Sequence, residues 1–158
     1  LIVVRHAKSS WDSPTNSDHD RPLNDRGQTE APELARRLIA RGWHPAIVLS
    51  SDARRTRETY DRMATQWTEP VEVHFLQSLY LADYADVLSV INLVPDQLSP
   101  LMLLGHNPGW EQLASRLSGE DITLKTATAA LLVGEGATWY DALCAAGTWR
   151  LTELLRGK

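Results

Sequence analysis

The residues best suited to chemistry in this chain are two histidines and a small group of arginines, and each follows a short apolar run. Arg5-His6 follows the run at 1–4 (Leu-Ile-Val-Val). Ser50-Ser51-Asp52-Ala53-Arg54-Arg55-Thr56 follows the run at 46–49, and Gly105-His106-Asn107-Pro108-Gly109 follows the run at 101–104. A neutral imidazole is a competent nucleophile toward phosphorus and needs no metal to be one. Two arginines can clamp the equatorial oxygens of a phosphoryl group in transfer and offset the charge gathering there. A second histidine, if protonated, adds a donor, and backbone N–H groups at a helix start add more. Each segment alone has a plainer reading. Arg5-His6 is then the point where the chain leaves the core, His106 a turn histidine bonded to backbone, and Arg54, Arg55 and Arg57 a solvated helical face. Three such segments at equivalent positions favour one shared phosphate site.

The elements that must position these residues alternate. Continuous apolar runs of this length suit strands buried on both faces of a parallel sheet. The segment 71–75 (Val-Glu-Val-His-Phe) alternates instead, as a strand near a sheet edge does. Ala31, Leu34, Ala35, Leu38 and Ile39 recur at helical spacing, and Gly42 predicts the stop. Pro32 must sit in the first turn of that helix or kink it. Tyr60, Met63, Ala64 and Trp67 mark a second helix, Tyr84, Val87, Leu88 and Ile91 a third, and Trp110, Leu113, Ala114 and Leu117 a fourth. The segments 129–133 and 148–155 read as two further strands, with 134–147 a loop or short helix. This alternation predicts a three-layer α/β/α sandwich with a mainly parallel sheet, one domain over residues 1–158. In such sheets ligands bind at the carboxyl ends of the strands, where all three candidate segments fall.

Composition bounds the partners. The net charge is −4, which argues against nucleic acid and anionic membrane as partners, and the phosphorylated ligand is expected to be a protein or a small molecule. The 13 arginines against 3 lysines suit bidentate capture of phosphate, a bias that GC-rich codons also produce. Cys144 is the only cysteine, so the chain forms no internal disulfide and a reducing cytoplasm is the simplest location. No apolar run approaches the roughly 20 residues of a membrane span. The sequence opens on Leu1 rather than methionine, so residues are expected before it, and a targeting segment there stays open. HExxH, paired CxxC, GxGxxG and GxxxxGK[ST] patterns are all missing, so neither a metal nor another cofactor is expected.

Four segments together resemble the histidine phosphatase superfamily, which includes the cofactor-dependent phosphoglycerate mutases. Arg5-His6-Ala7 resembles its Arg-His-Gly signature, and Ser51 to Thr59 (SDARRTRET) its Ser-Pro-x-x-Arg-Ala-x-Gln-Thr segment, with Arg55 rather than Arg54 in register. Gly105-His106-Asn107 is similar to the segment of the second histidine, and Asp20 to Gly27 (DRPLNDRG) to the Arg-x-Leu-Thr-x-x-Gly loop before the first helix. The match runs in order to about residue 117 and is nearest to the short phosphohistidine phosphatases of the SixA type. The resemblance implies a phosphoglycerate mutase-like fold. It also implies His6 as nucleophile, with Arg5, Arg55 and His106 completing the phosphate pocket.

Two departures sharpen the expectation. Ala7 stands where the family has glycine, and its methyl group is small. Ser78, in Leu76-Gln77-Ser78-Leu79-Tyr80, stands where many members carry a glutamate general acid. Without an acid an alcohol is hard to expel, whereas imidazole, with a pKa of ~6.5, leaves readily. A P–N bond or another activated phosphate is therefore the expected substrate. The alternatives are a small-molecule phosphomonoesterase using Asp12, Asp18 or Asp20 as the acid, or a non-catalytic phosphate-binding module. The short chain leaves little for a lid over the pocket. Asn107, Lys8 and Arg21 are further candidates for substrate binding, with Ser9 and Trp11 at the rim, and the protein is expected to act as a monomer. Trp11 reads equally well as packing over the sheet end.

Overall fold

The computed structural model describes residues 1–12 and 17–158. It shows a six-stranded sheet in the order β3-β2-β4-β1-β5-β6. The strands are β1 (Ile2–Arg5), β2 (Ile47–Ser51), β3 (Glu72–Leu76), β4 (Leu101–Gly105), β5 (Thr128–Val133) and β6 (Arg150–Arg156). The first four run parallel, and β5 and β6 add an antiparallel edge beside β1. The alternating segment forms β3 at one edge, as its pattern predicts.

The apolar runs become strands because both sheet faces are covered. Successive side chains point to opposite faces. Val3, Ile47, Leu49, Leu101 and Leu103 enter one core, with Trp110, Leu113, Ala114 and Leu117 of α4 (Gly109–Ser118), Val87 of α3 (Tyr84–Val90) and Leu143 of α5 (Trp139–Cys144). Ile2, Val4, Val48, Met102 and Leu104 enter the other, with Ala31, Leu34, Ala35 and Leu38 of α1 (Asp25–Ala40) and Met63 of α2 (Arg54–Ala64). The result is the expected three-layer α/β/α sandwich, mainly parallel and phosphoglycerate mutase-like.

Several boundaries differ from the sequence reading, each for a local reason. Helix α1 starts at Asp25, because the Asn24 side chain caps it by accepting from the Gly27 N–H. Pro32 therefore lies inside the helix, past its first turn, where its missing N–H removes one ladder bond. The apolar stripe ends at Leu38, and Ile39 is exposed. The helix stops at Arg41, followed by Gly42 in the left-handed region at φ 76°. Helix α2 ends at Ala64, so Trp67 packs against Tyr60 and the second core from beyond the helix end. A capping box between Asp83 and Asp86 opens α3, and Ile91 falls in the 3-10 turn that follows it. The segment left as loop or short helix contains α5.

Candidate active site

Strand register brings the chemistry together. Arg5 of β1 pairs with Gly105 of β4, and the His6 N–H donates to the Gly105 carbonyl at 3.0 Å. His6 and His106 thus leave adjacent strands side by side, with ring centroids 5.3 Å apart. Strand β2, on the far side of β4, ends at Ser51 and leads into α2, which carries Arg55. Arg55 is 3% exposed, whereas Arg54 faces solvent beside Glu58.

The His6 ring has a defined tautomer. Its Nδ1 lies 2.7 Å from the Ala7 carbonyl, an acceptor only, so Nδ1 carries the hydrogen and donates it. Nε2 keeps its lone pair. Burial pushes the ring pKa down to about 3, and Arg55, Arg5 and Arg21 push in the same direction. The imidazole is therefore neutral at physiological pH. The Ala7 methyl is absorbed in the core under α1, and its N–H donates to the Thr59 hydroxyl at 3.0 Å.

His106 is arranged in the opposite sense. Its Nε2 lies 2.8 Å from Ser51 Oγ, and that oxygen also accepts from the Ala53 N–H. A hydroxyl oxygen has two lone pairs, so Ser51 either donates its O–H to Nε2, with the His106 hydrogen on Nδ1, or accepts from Nε2–H. Nδ1 is buried and has no partner. Burial and the neighbouring His6 lower the pKa of this ring as well. Buried polar atoms without partners are rare in folded proteins. Among the described residues they include His106 Nδ1, Arg5 Nε and Arg55 Nε, three nitrogens at one sheet edge.

The two walls of this cluster are built differently. Arg5 donates from NH1 to the Leu124 carbonyl at 3.0 Å. That carbonyl and Glu111 Oε1 both accept from the Asn107 side-chain NH2, each at 2.8 Å, and Glu111 Oε1 also accepts from the Leu124 N–H. Gly109 lets the start of α4 approach the segment before α3: a Cβ there would lie 1.8 Å from the Ala82 carbonyl. On the other wall, Arg55 donates from NH1 to the Asp18 carbonyl at 2.7 Å and from NH2 to Asp18 Oδ2 at 3.0 Å. Asp18 Oδ1 accepts from Arg21 Nε at 3.0 Å, and the Tyr80 hydroxyl donates to Oδ2. These donors hold the Asp18 carboxyl well below the usual carboxylate range, against the opposing effect of its partial burial.

The remaining expectations sort themselves by contact. Asn107 spends its NH2 inside the wall and offers only a carbonyl oxygen, so it supports the pocket rather than donating to phosphate. Arg21 is buried and ties Ser9 Oγ, the Ser10 carbonyl and Asp18 together, with its guanidinium 3.6 Å from the Trp11 ring. Trp11 is 74% exposed, so it does not pack over the sheet end. Lys8 contributes its backbone, its carbonyl accepting from the Asn24 N–H, and its ammonium makes no ion pair among the described residues. A Cβ at Gly27 would lie 2.2 Å from that same Lys8 carbonyl, which explains the glycine in the motif. Of the three aspartates weighed as acids, Asp18 lies in the cluster but is ionised, while Asp12 and Asp20 are exposed.

Ser78 is exposed in a 3-10 turn. Tyr80, two residues on, is the residue of that segment in the cluster, edge-on to His106 at 5.5 Å. Sequence reasoning missed Tyr80, Ser51 and Glu111. Glu111, in the first turn of α4, falls four residues after Asn107, and that spacing was the available signal. Among the described residues no three His, Cys, Asp or Glu side chains are grouped to hold a metal ion, and no helix is long and apolar enough to cross a membrane.

Comparison with known proteins gives the family and the fold. Residues 1–79 match the family model of the histidine phosphatase superfamily, branch 1. An uncharacterized chloroplastic protein of Arabidopsis thaliana is 44% identical over 98% of this chain and 76% of its own length. The structure of a proposed phosphohistidine phosphatase SixA from Agrobacterium tumefaciens superposes with a TM-score of 0.80 at 28% identity, covering 98% of this chain and 95% of that one. The protein histidine phosphatase SixA complexed with tungstate shares the fold at a TM-score of 0.81 and 19% identity, over 99% and 96% of the two chains. The chain belongs to the histidine phosphatase superfamily, and it is a phosphatase.

Proposed function

We propose that this phosphatase works without a metal, through a phosphohistidine on His6, and that it acts on phosphohistidine proteins or other activated phosphates. The observation that carries the reading is the His6 tautomer: Nδ1–H is committed to the Ala7 carbonyl, and Nε2 is left neutral and unprotonated. Arg5, Arg55 and the Nδ1–H of His106 hold the phosphoryl oxygens. The Nε2 lone pair forms the new N–P bond while the leaving group departs with the electrons of its own bond to phosphorus. Water then attacks phosphorus, releases inorganic phosphate and returns the pair to Nε2. The P–N product of the first step is itself a phosphoramidate, so a P–N substrate is chemically balanced against it. Likeness to SixA proteins supports the same substrate class. Lys8 is a further candidate for substrate binding, Arg21 acts through Asp18, and the enzyme works in the cytoplasm as a monomer.

Among the described residues, none of those weighed as the acid stands in the cluster as a protonated group, and the Tyr80 hydroxyl is already donated to Asp18. Asp18 is ionised and Ser78 is exposed. Rates should therefore depend steeply on leaving-group pKa, with phosphoramidates and aryl phosphates far ahead of alkyl phosphates. The test is a leaving-group series with chelator-treated enzyme, together with acid-labile, alkali-stable labelling that is lost in His6→Ala. A flat series, or activity restored only by a divalent ion, overturns the reading.

A further inference from the structure

The two phosphate-site arginines are not equally free. Arg5 rests on a neutral carbonyl, but both terminal nitrogens of Arg55 are already bonded to Asp18, one to its carbonyl and one to its carboxylate. The same carboxylate takes Arg21 Nε and the Tyr80 hydroxyl, so three side chains converge on it as they would on a phosphate oxygen cluster. Arg55 is almost fully buried, whereas the Asp18 side chain is 43% exposed, so the anion sits at the mouth and the cation at the floor.

We propose that Asp18 determines specificity by acting as an internal anion on Arg55, which an incoming phosphoryl group must displace. This rests on the reading of Arg55 as a phosphate ligand. Two anions cannot share one guanidinium face a few ångströms apart in a partly buried site without strong repulsion. Phosphoryl charge alone therefore binds weakly, and inorganic phosphate leaves easily after turnover. Productive substrates are those whose remaining surface makes contacts of its own. Arg21, three residues from Asp18 on the same turn and anchored to Ser9 and Ser10, holds the carboxylate together with Tyr80 when the pocket is empty.

Phosphate affinity tests this directly. Inorganic phosphate is titrated calorimetrically into the native protein, Asp18→Asn, Asp18→Ala and Tyr80→Phe, and each is melted with and without phosphate. The carboxylate accepts charge-assisted hydrogen bonds, so its removal should tighten phosphate binding roughly tenfold or more. Asp18→Asn should melt below the native protein without phosphate, because Arg55 is left without its counter-charge. The gap should close as phosphate is added, since a ligand stabilises the form it binds. Tyr80→Phe should fall between the two. Equal or weaker phosphate binding by both Asp18 variants would show that Asp18 only positions Arg55, and would overturn the proposal. If Arg55→Ala binds phosphate as tightly as the native protein, the reading of the pocket fails first and the inference with it.

Discussion

Arg5 and Arg55 come to one cluster from β1 and α2, yet the walls behind them differ in kind. Behind Arg5 stands a closed network of backbone and side-chain bonds through Leu124, Asn107 and Glu111. Behind Arg55 stands a single aspartate on a short turn, whose side chain is open to water. The charge on the first wall, Glu111, is one residue removed from the guanidinium and acts on it through space. The charge on the second is in direct contact. On the proposed reading, a phosphate oxygen joins Arg5 without displacing anything but competes with Asp18 on Arg55. One half of the site is a fixed template, and the other half is an exchange site.

The widest test of this contrast is removal of the clamp itself. Arg5→Ala, Arg55→Ala and His106→Ala should each lower kcat/KM for an aryl phosphate by ~10²-fold or more, the usual effect of losing one transition-state donor. A loss of less than tenfold in any one would remove that residue from the clamp. A smaller effect is expected from the template wall. Glu111→Gln keeps an acceptor but loses the charge facing Arg5, and kcat should fall about fivefold, the size of one weakened hydrogen bond. An unchanged kcat would mean that Leu124 alone fixes Arg5.

The two histidines give a test in pH. His6 has a folded pKa of about 3, below its unfolded value, so between the two the unfolded chain binds the extra proton. Stability is then fully present above pH ~6.5 and is lost as pH falls toward the folded pKa. One such proton contributes a slope of at most about 1.4 kcal/mol per pH unit. His6→Gln should flatten the acid limb of the melting-temperature profile, and an unaltered limb would show that His6 is not held neutral. The smallest effect belongs to Arg54→Ala. Its exposed pair with Glu58 spans 3.6 Å, and both rate and stability should stay within about 0.5 kcal/mol of native. A large rate loss there would mean that Arg54, not Arg55, faces the substrate.

What could be read from the sequence followed from periodicity and local chemistry. The runs before Arg5, Ser50 and Gly105 were legible because both faces of the sheet are buried, so no polar residue interrupts them. His6, His106 and Arg55 were legible because they stand just past those runs. Helix starts were harder, since Asn24 and Asp83 cap their helices with polar first turns that carry no apolar signal. Tyr80 and Asp18 lie 62 residues apart and meet only through the topology. An aspartate in a polar loop reads as a candidate acid, and only its contact with two arginines and a phenol holds its carboxyl below the usual range. Asn107 misled for a similar reason: its place beside His106 suggested a ligand, but the acceptors around its NH2 fix it in the wall.

Strand β1 lies between β4 and β5, with Arg5 paired to Gly105 on one side and Thr128 on the other. The next residue is held in the same way, the His6 N–H by the Gly105 carbonyl and the His6 carbonyl by the Ala127 N–H. Backbone of this kind opens only with the most stable part of a fold. The His6 imidazole, the proposed nucleophile, therefore hangs from a rigid post, while the aspartate turn behind Arg55 lies on the periphery. Heat can loosen the rim and alter which substrates dock while His6 stays in place. Loss of the aim of His6, by contrast, coincides with loss of the sheet, so a loss of activity that precedes global unfolding should come from the rim.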